Sequence, residues 1–357
     1  MFDVGSTNAS EPARLEAKTN LADDQASLGS ASFSAAQQQF REAGSEIDLS
    51  CRPSPANEPV LPPEGGESAA NRNHKVRPWL RNDFHEHAKP YIIDGRPDRP
   101  TLLFYGGLAG TGWAWKEFAA GLNHDCGNRV EVYSLSGHDG EWESLVMKSQ
   151  ADWVGDIIEK AEACKQYGIK PVFFGYSTSA VAAIEAAALR PDLFGALVLI
   201  GTPIDLKDWK SSLALNVVEW VDHYVPFAHK LFQKIPVSLP PDPPGIDPDN
   251  ILAKQPSLEQ IPLSTLISLV RLQRDARAML QDVRCPVLVI QGTQDKYVDL
   301  KIAERMFKLL ASEQKEFVAV EESPHAVMLG KRRESIKSII EDWFIKLRGD
   351  PRPEPNQ

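Results

Sequence analysis

The chain has 357 residues, of which 42% are hydrophobic and 25% charged, with a formal net charge of -10. That length suits one large or two ordinary domains, and the composition is that of a globular protein. The acidic balance and the lack of a basic stripe argue against nucleic acid and anionic membrane as partners, and no apolar run approaches the roughly 18 residues of a membrane span.

Residues 1–75 are rich in Ser, Ala, Gln, Glu, Asn, Gly and Pro, and their aromatics are only Phe2, Phe33 and Phe40. Such a segment buries too little apolar surface to offset its ordering entropy, so a disordered arm is expected, with a short helix allowed near Ala31–Ala43 and a Pro/Gly linker from Pro53 to Gly66. The start of the chain has neither a basic stretch nor an apolar core, so no secretory signal is expected. Cys51, Cys126, Cys164 and Cys285 are scattered without ligand-like spacing and read as reduced thiols, which suits a cytoplasmic protein.

From Lys75 the composition turns globular. Strands are expected at Tyr91–Ile93, Thr101–Tyr105, Val130–Leu135, Pro171–Phe174, Leu197–Gly201, Pro286–Gln291 and Glu316–Val320. Helices are expected at Trp113–Leu122, Ala151–Tyr167, from Thr178 through an Ala-rich run to Leu189, at Leu300–Leu310 and at Glu334–Leu347. Short apolar strands alternating with helices predict an α/β fold, with a mostly parallel central sheet covered by helices on both faces. Between Pro203 and Val283 no strand is expected. Helices at Leu213–Phe232 and Leu263–Leu280, divided by the Pro-rich stretch Pro236–Pro248, read instead as an inserted helical cap. The expected organisation is a core over 76–204 and 284–350, a cap over 205–283, and a flexible tail over 351–357. Trp220, Tyr224, Phe227 and Phe232 either line an apolar acyl pocket or pack the cap onto the core.

The chemistry centres on Gly175-Tyr176-Ser177-Thr178-Ser179, where a buried strand turns sharply into a helix. A serine at such a corner presents its hydroxyl at the rim of the sheet, as in the G-x-S-x-G nucleophile elbow, although position 179 carries Ser where that pattern has Gly. A serine hydroxyl needs a base within reach and a third group to orient the base. Asp295 follows the Pro286–Gln291 strand in Gly292-Thr293-Gln294-Asp295, with Asp299 as a fallback and Asp205 as a weaker alternative. A helix N-cap is the competing role for Asp295. His325 follows the last strand in Ser323-Pro324-His325, the one histidine of eight at that place.

These stretches resemble the α/β-hydrolase superfamily over about Thr101 to Leu347, closest to serine esterases, monoacylglycerol lipases and lysophospholipases with a helical cap. The resemblance implies the chain order Ser, acid, His, and so a triad of Ser177, Asp295 and His325 acting on a carboxylic ester or related acyl bond. It also implies an oxyanion hole of backbone N–H groups. One belongs to Thr178; the other belongs to Leu108, in a loop Gly106-Gly107-Leu108-Ala109-Gly110 similar to the family's H-G-x-x-G, with Gly106 in place of His. In an alternative register the second donor is Gly107. Gly137-His138-Asp139-Gly140 is similar to the family's G-H-G-x-S loop, and His138 is expected to be structural.

The implied partner is a small-molecule acyl substrate of apolar character. Acyltransferases and aminopeptidases share the triad, and a non-catalytic ligand-binding relative is the alternative from another class. No cofactor is expected: Gly107–Gly112 has phosphate-loop spacing, but Trp113-Ala114 stand where Lys and Ser/Thr are needed, and no G-x-G-x-x-G occurs. Asp83, His85, Glu86 and His87 lie together without zinc-ligand partners, so no metal is expected.

Overall fold

A computed structural model describes residues 84–348 apart from 109, 206–208, 226, 239–257 and 259. The expected arm, its helix near Ala31–Ala43 and the tail lie outside the described residues.

The chain begins with helix α1 (Phe84–Ala88), strands β1 (Tyr91–Ile93) and β2 (Leu102–Tyr105), a 3-10 turn over Gly112–Trp115, helix α2 (Lys116–Cys126) and strand β3 (Val130–Tyr133). Helices α3 (Trp142–Val146) and α4 (Gln150–Ala163), strand β4 (Val172–Tyr176), helix α5 (Thr178–Leu189) and strand β5 (Ala196–Ile200) follow. Next come α6 (Trp209–Tyr224), α7 (Ala228–Phe232), β6 (Pro236–Ser238), β7 (Gln260–Pro262) and α8 (Leu263–Ala278). Strand β8 (Val287–Gly292), helix α9 (Leu300–Leu309), strand β9 (Lys315–Val320) and helix α10 (Arg333–Arg348) close the order.

Seven strands form one sheet in the order β1-β3-β2-β4-β5-β8-β9. Only β1 runs antiparallel, pairing Ile92 with Glu131 of β3; the other pairings are parallel. Period-two alternation sorts the strand residues into two cores. Leu103, Tyr105, Phe173, Leu197, Leu199, Val287 and Val289 face α4, α5, α8 and α9. Leu102, Phe104, Val132, Phe174, Val198, Ile200, Leu288 and Ile290 face α2 and α10. Helices on both faces leave the central strands β2, β4, β5 and β8 no wet side, which is why they read as near-continuous apolar runs. From β2 the chain first adds β3 on one side, then β4 on the other, so the strand order reverses beside β2. In open α/β sheets the crevice at such a reversal, outside the strand C-termini, is where ligands bind.

The segment between β5 and β8 departs from expectation in three ways. It holds a two-stranded antiparallel sheet, Pro236↔Pro262 to Ser238↔Gln260, where no strand was expected. Each strand has three residues and includes a proline, too short to show a period. The expected single helix over Leu213–Phe232 is broken between α6 and α7, where Phe227 is left-handed with φ 71°. Finally, of the four aromatics assigned to a pocket or to packing, Phe232 is buried beside Ile267, whereas Trp220, Tyr224 and Phe227 are 57%, 64% and 77% exposed. Helix α8 contributes Leu272 and Ala276 to the core beneath α5. Among the described residues no helix is long and apolar enough to cross a membrane.

Candidate active site

Ser177 joins β4 to α5 with φ 57° and ψ -121°. A non-glycine residue in so sparsely populated a region costs roughly 1–3 kcal/mol and persists only when its surroundings enforce it. Three contacts do so. Its N–H donates to Ile200 O of β5 at 2.9 Å, its carbonyl accepts from Ala180 N at 3.0 Å, and a Cβ on Gly175 would come within 2.5 Å of Ala180 Cα, so helix and strand meet in the closest possible way. The turn turns the serine out of both elements, at the strand-order reversal. Thr178, first residue of α5, contributes one of the helix's leading N–H groups, which lack intrahelical partners and carry the positive end of the helix dipole.

Asp295 and His325 come together although thirty residues separate them: Nδ1 of His325 lies 2.7 Å from Oδ2 of Asp295, and both side chains are buried. Local turn chemistry holds the carboxylate. Its Oδ1 accepts from the N–H groups of Tyr297 at 2.8 Å and Val298 at 3.0 Å, and its Oδ2 accepts from Gln291 Nε2 at 2.8 Å. Burial raises the energy of the charged form, but the hydrogen bond and charge of His325, with the Val298 and Gln291 bonds, outweigh it and hold the carboxyl below its ordinary value. The imidazole is flanked by Tyr176 and Tyr297, with ring centroids 5.0 and 5.1 Å away. Tyr176 immediately precedes Ser177, so the histidine stands beside the elbow.

The loop after β2 crosses the elbow. A Cβ at Gly107 would lie 2.9 Å from Ser177 Cβ, so only glycine allows this approach. Leu108 is half-buried and packs against two clusters, one containing the α5 alanines and one formed by Phe84, Leu145, Leu258 and Ile261. Helix α1, in a stretch whose sequence reads as polar linker, therefore supplies through Phe84 part of the footing of this loop.

The remaining candidates have other work. Asp299 caps α9, accepting from Lys301 N at 2.9 Å, so the N-cap role weighed for Asp295 falls to Asp299. Asp205 pairs with Arg277 at 2.6 Å and with Arg305. His138 is fully buried, its Nδ1 3.3 Å from Ser136 O, and burial lowers its pKa to about 4. His85 lies 3.4 Å from Glu141, Glu86 pairs with Lys89 at 2.9 Å, and His87 stands edge-on to Trp113; Asp83 is outside the described residues. Burial pushes the thiols of Cys164 and Cys285 up to about 11 and about 12, the opposite of an activated nucleophile.

Two residues of the site escaped sequence reasoning. Gln291, next to last in β8, follows its apolar run and reaches Asp295 from four residues upstream. Gly201 has φ 54°, and a Cβ there would lie 3.0 Å from His325 Nδ1; the signal was a glycine directly after the Leu197–Ile200 strand, where a side chain closes the space.

The site thus gathers a strained serine, a glycine loop against it and a buried carboxylate–imidazole pair at one point of the sheet. Known proteins of the same build carry esterase and lipase names. The chain is 24% identical over 262 residues to a thermostable monoacylglycerol lipase of Bacillus sp. (strain H-257), covering 73% of this chain and 96% of the relative. It is 22% identical over 260 residues to a carboxylesterase of Bacillus subtilis (strain 168), covering 72% and 97%. The crystal structure of Paleococcus ferrophilus monoacylglycerol lipase shares the fold, with a TM-score of 0.60 at 17% identity over 72% of this chain and 98% of that one. The hydrolase family described as "Serine aminopeptidase, S33" matches residues 96–332, well over half of the chain. The chain belongs to that family, within the α/β-hydrolase superfamily.

Proposed function

We propose that the chain is a serine hydrolase that cleaves a carboxylic ester through an acyl-enzyme. Ser177 Oγ attacks the carbonyl carbon while its proton passes to Nε2 of His325, then to the departing alcohol. Water next attacks the acyl-enzyme, giving its proton to His325, and Ser177 is regenerated with release of the acid. Asp295 accepts from Nδ1, fixes the tautomer and stays ionised throughout. Thr178 N–H, with Leu108 or Gly107 N–H from the facing loop, stabilises the oxyanion. The observation that carries this reading is the 2.7 Å contact between two buried side chains, Asp295 and His325, beside the elbow. Burial and an unbroken set of donors make that carboxylate an orienting group rather than a surface charge.

The named relatives act on monoacylglycerol and carboxylic esters, which supports a small substrate with an apolar acyl chain. The family's description favours a second reading, hydrolysis of an amide next to a free amino terminus, by the same residues. A fluorophosphonate probe should label the wild type and a nitrophenyl ester should be turned over, and Ser177→Ala should abolish both, a loss on the order of 10⁶-fold in kcat. A wild type that neither labels nor turns over ester overturns the proposal. Turnover of an amino-acid nitroanilide in preference to esters of any acyl length selects the peptidase reading.

A further inference from the structure

Position 179 is where the elbow departs from its family's pattern. A serine there is fully buried in the first turn of α5, and a buried hydroxyl without partners is destabilising. This one has three partners. It accepts from Tyr176 N at 2.9 Å and lies within donating distance of two carbonyls, Tyr105 O at 2.9 Å and Tyr176 O at 3.0 Å.

The placement is specific. Strands β2 and β4 pair in parallel with Tyr105 opposite Gly175, and Val172 N donates to Thr101 O at 2.9 Å. Two rungs further along, the same pattern brings Tyr176 N opposite Tyr105 O. The Ser179 hydroxyl stands across this last rung, taking the N–H from one strand and serving the carbonyl of the other. The Tyr105 carbonyl is held a second time, by Trp115 Nε1 at 2.7 Å. Tyr105 is the last residue of β2, and the glycine loop that lies against Ser177 begins with the next residue.

Resting on the proposed hydrolase reading, we infer that Ser179 is a positioning residue: its hydroxyl joins the nucleophile elbow to the root of the oxyanion loop and so sets the distance between the two oxyanion donors. The donors sit on different segments, Thr178 on α5 and Leu108 or Gly107 after β2, and no chain connection fixes their separation. Tyr176 N is two residues from Thr178 N, and Tyr105 O is two or three residues from the other donor. A bridge between those two groups acts close to both. An oxyanion hole works through donors already aimed at the transition-state oxygen, so a change in their spacing lowers kcat while leaving substrate binding alone.

The test compares Ser179→Ala, Ser179→Gly and Ser179→Cys with the wild type on one nitrophenyl ester. Active sites are counted by fluorophosphonate titration, and the affinity of an alkyl boronic acid, a tetrahedral-intermediate mimic, is measured alongside. Cys fills the space of Ser but hydrogen-bonds weakly, and so separates packing from bridging. All three variants should lower kcat per titrated site about tenfold, well short of the 10²–10³ for outright loss of a donor. KM should stay unchanged, and boronate affinity should weaken by the same factor as kcat. Should Ser179→Ala not fold, Ser179→Gly, the family's own residue, carries the comparison. A Cys variant with wild-type kcat and boronate affinity, or an Ala variant that loses melting temperature alone, overturns the inference. A wild type that is not labelled overturns the hydrolase reading itself and this inference with it.

Discussion

The turns after β8 and β9 contrast with the helices between β5 and β8. In the turns, Asp295 is reached by two backbone N–H groups, a glutamine and an imidazole, all within 3.0 Å. Helix α6 is tied to α8 through Arg271, which meets Glu219 at 3.0 Å and Asp222 at 2.9 Å, and it leaves Val217, Trp220 and Tyr224 exposed. The first region is over-determined, because removing one partner leaves three. The second is held by ion pairs, those of Arg271 and a longer one from Arg274 to Glu219 at 3.4 Å, and by Val218 and Val221 packing beside Ile267. The proton transfer proposed for this site would tolerate little misplacement, which suits the first kind of scaffold. The second kind can change its surface without disturbing the chemistry.

The sharpest way to break this contrast is Asp295→Asn. The turn keeps its backbone donors, but the amide no longer holds His325 in the proposed tautomer, and kcat should fall on the order of 10⁴-fold with the melting temperature little changed. Gly201→Ala comes next. Its methyl meets His325 at 3.0 Å in a backbone conformation unfavourable to alanine, and a displacement of the imidazole by a fraction of an ångström should lower kcat on the order of 10²-fold. Retained activity in either variant would mean that the pair does not orient the base.

A smaller effect is expected from Arg271→Ala. It uncovers the buried carboxylate of Asp222 and should weaken α6 by about 1–3 kcal/mol, read as faster amide exchange over residues 214–224. Turnover of a short-chain ester should stay within about twofold. Equal losses of exchange protection and of kcat would show that the two regions are one mechanical unit.

The smallest effect concerns Glu185, a charged residue within the alanine helix that follows Ser177. Burial, reinforced by Asp275 and opposed by Arg274, raises its carboxyl from 4.5 to about 8. Between those values the folded protein keeps a proton that the unfolded chain has released, so this group's contribution to stability falls as pH rises from about 4.5 to about 8 and is level above. Glu185→Gln removes the slope. At pH 8 it should melt at a higher temperature than the wild type, with no gain at pH 4.

Much of this organisation was legible in the residues, for physical reasons. Strands β4, β5 and β8 are covered on both faces and therefore read as near-continuous apolar runs. The elbow announces itself because a serine between a bulky strand and an alanine helix has few other uses. Asp295 and His325 were singled out by the chain order that the resemblance implied, and their side chains lie 2.7 Å apart. What was hidden depends on contacts with no local period. Phe84 is buried in a short polar helix because a distant cluster needs it. The β6–β7 pair is too short to announce itself. The outward turn of Trp220 and Tyr224 reverses the usual rule that helical aromatics face inward, which composition cannot express.

The alternation along β4 has an evolutionary consequence. Phe173 and Phe174 belong to opposite cores, and Ser177 stands three residues beyond them. The strand is therefore a ruler whose divisions are single residues. Adding or deleting one residue between Val172 and Ser177 would turn every side chain onto the wrong core and rotate the hydroxyl away from its partners. Apolar exchanges at these positions keep the count, so lineages carrying this fold can drift in letters here while remaining fixed in length, with insertions confined to stretches outside the strand.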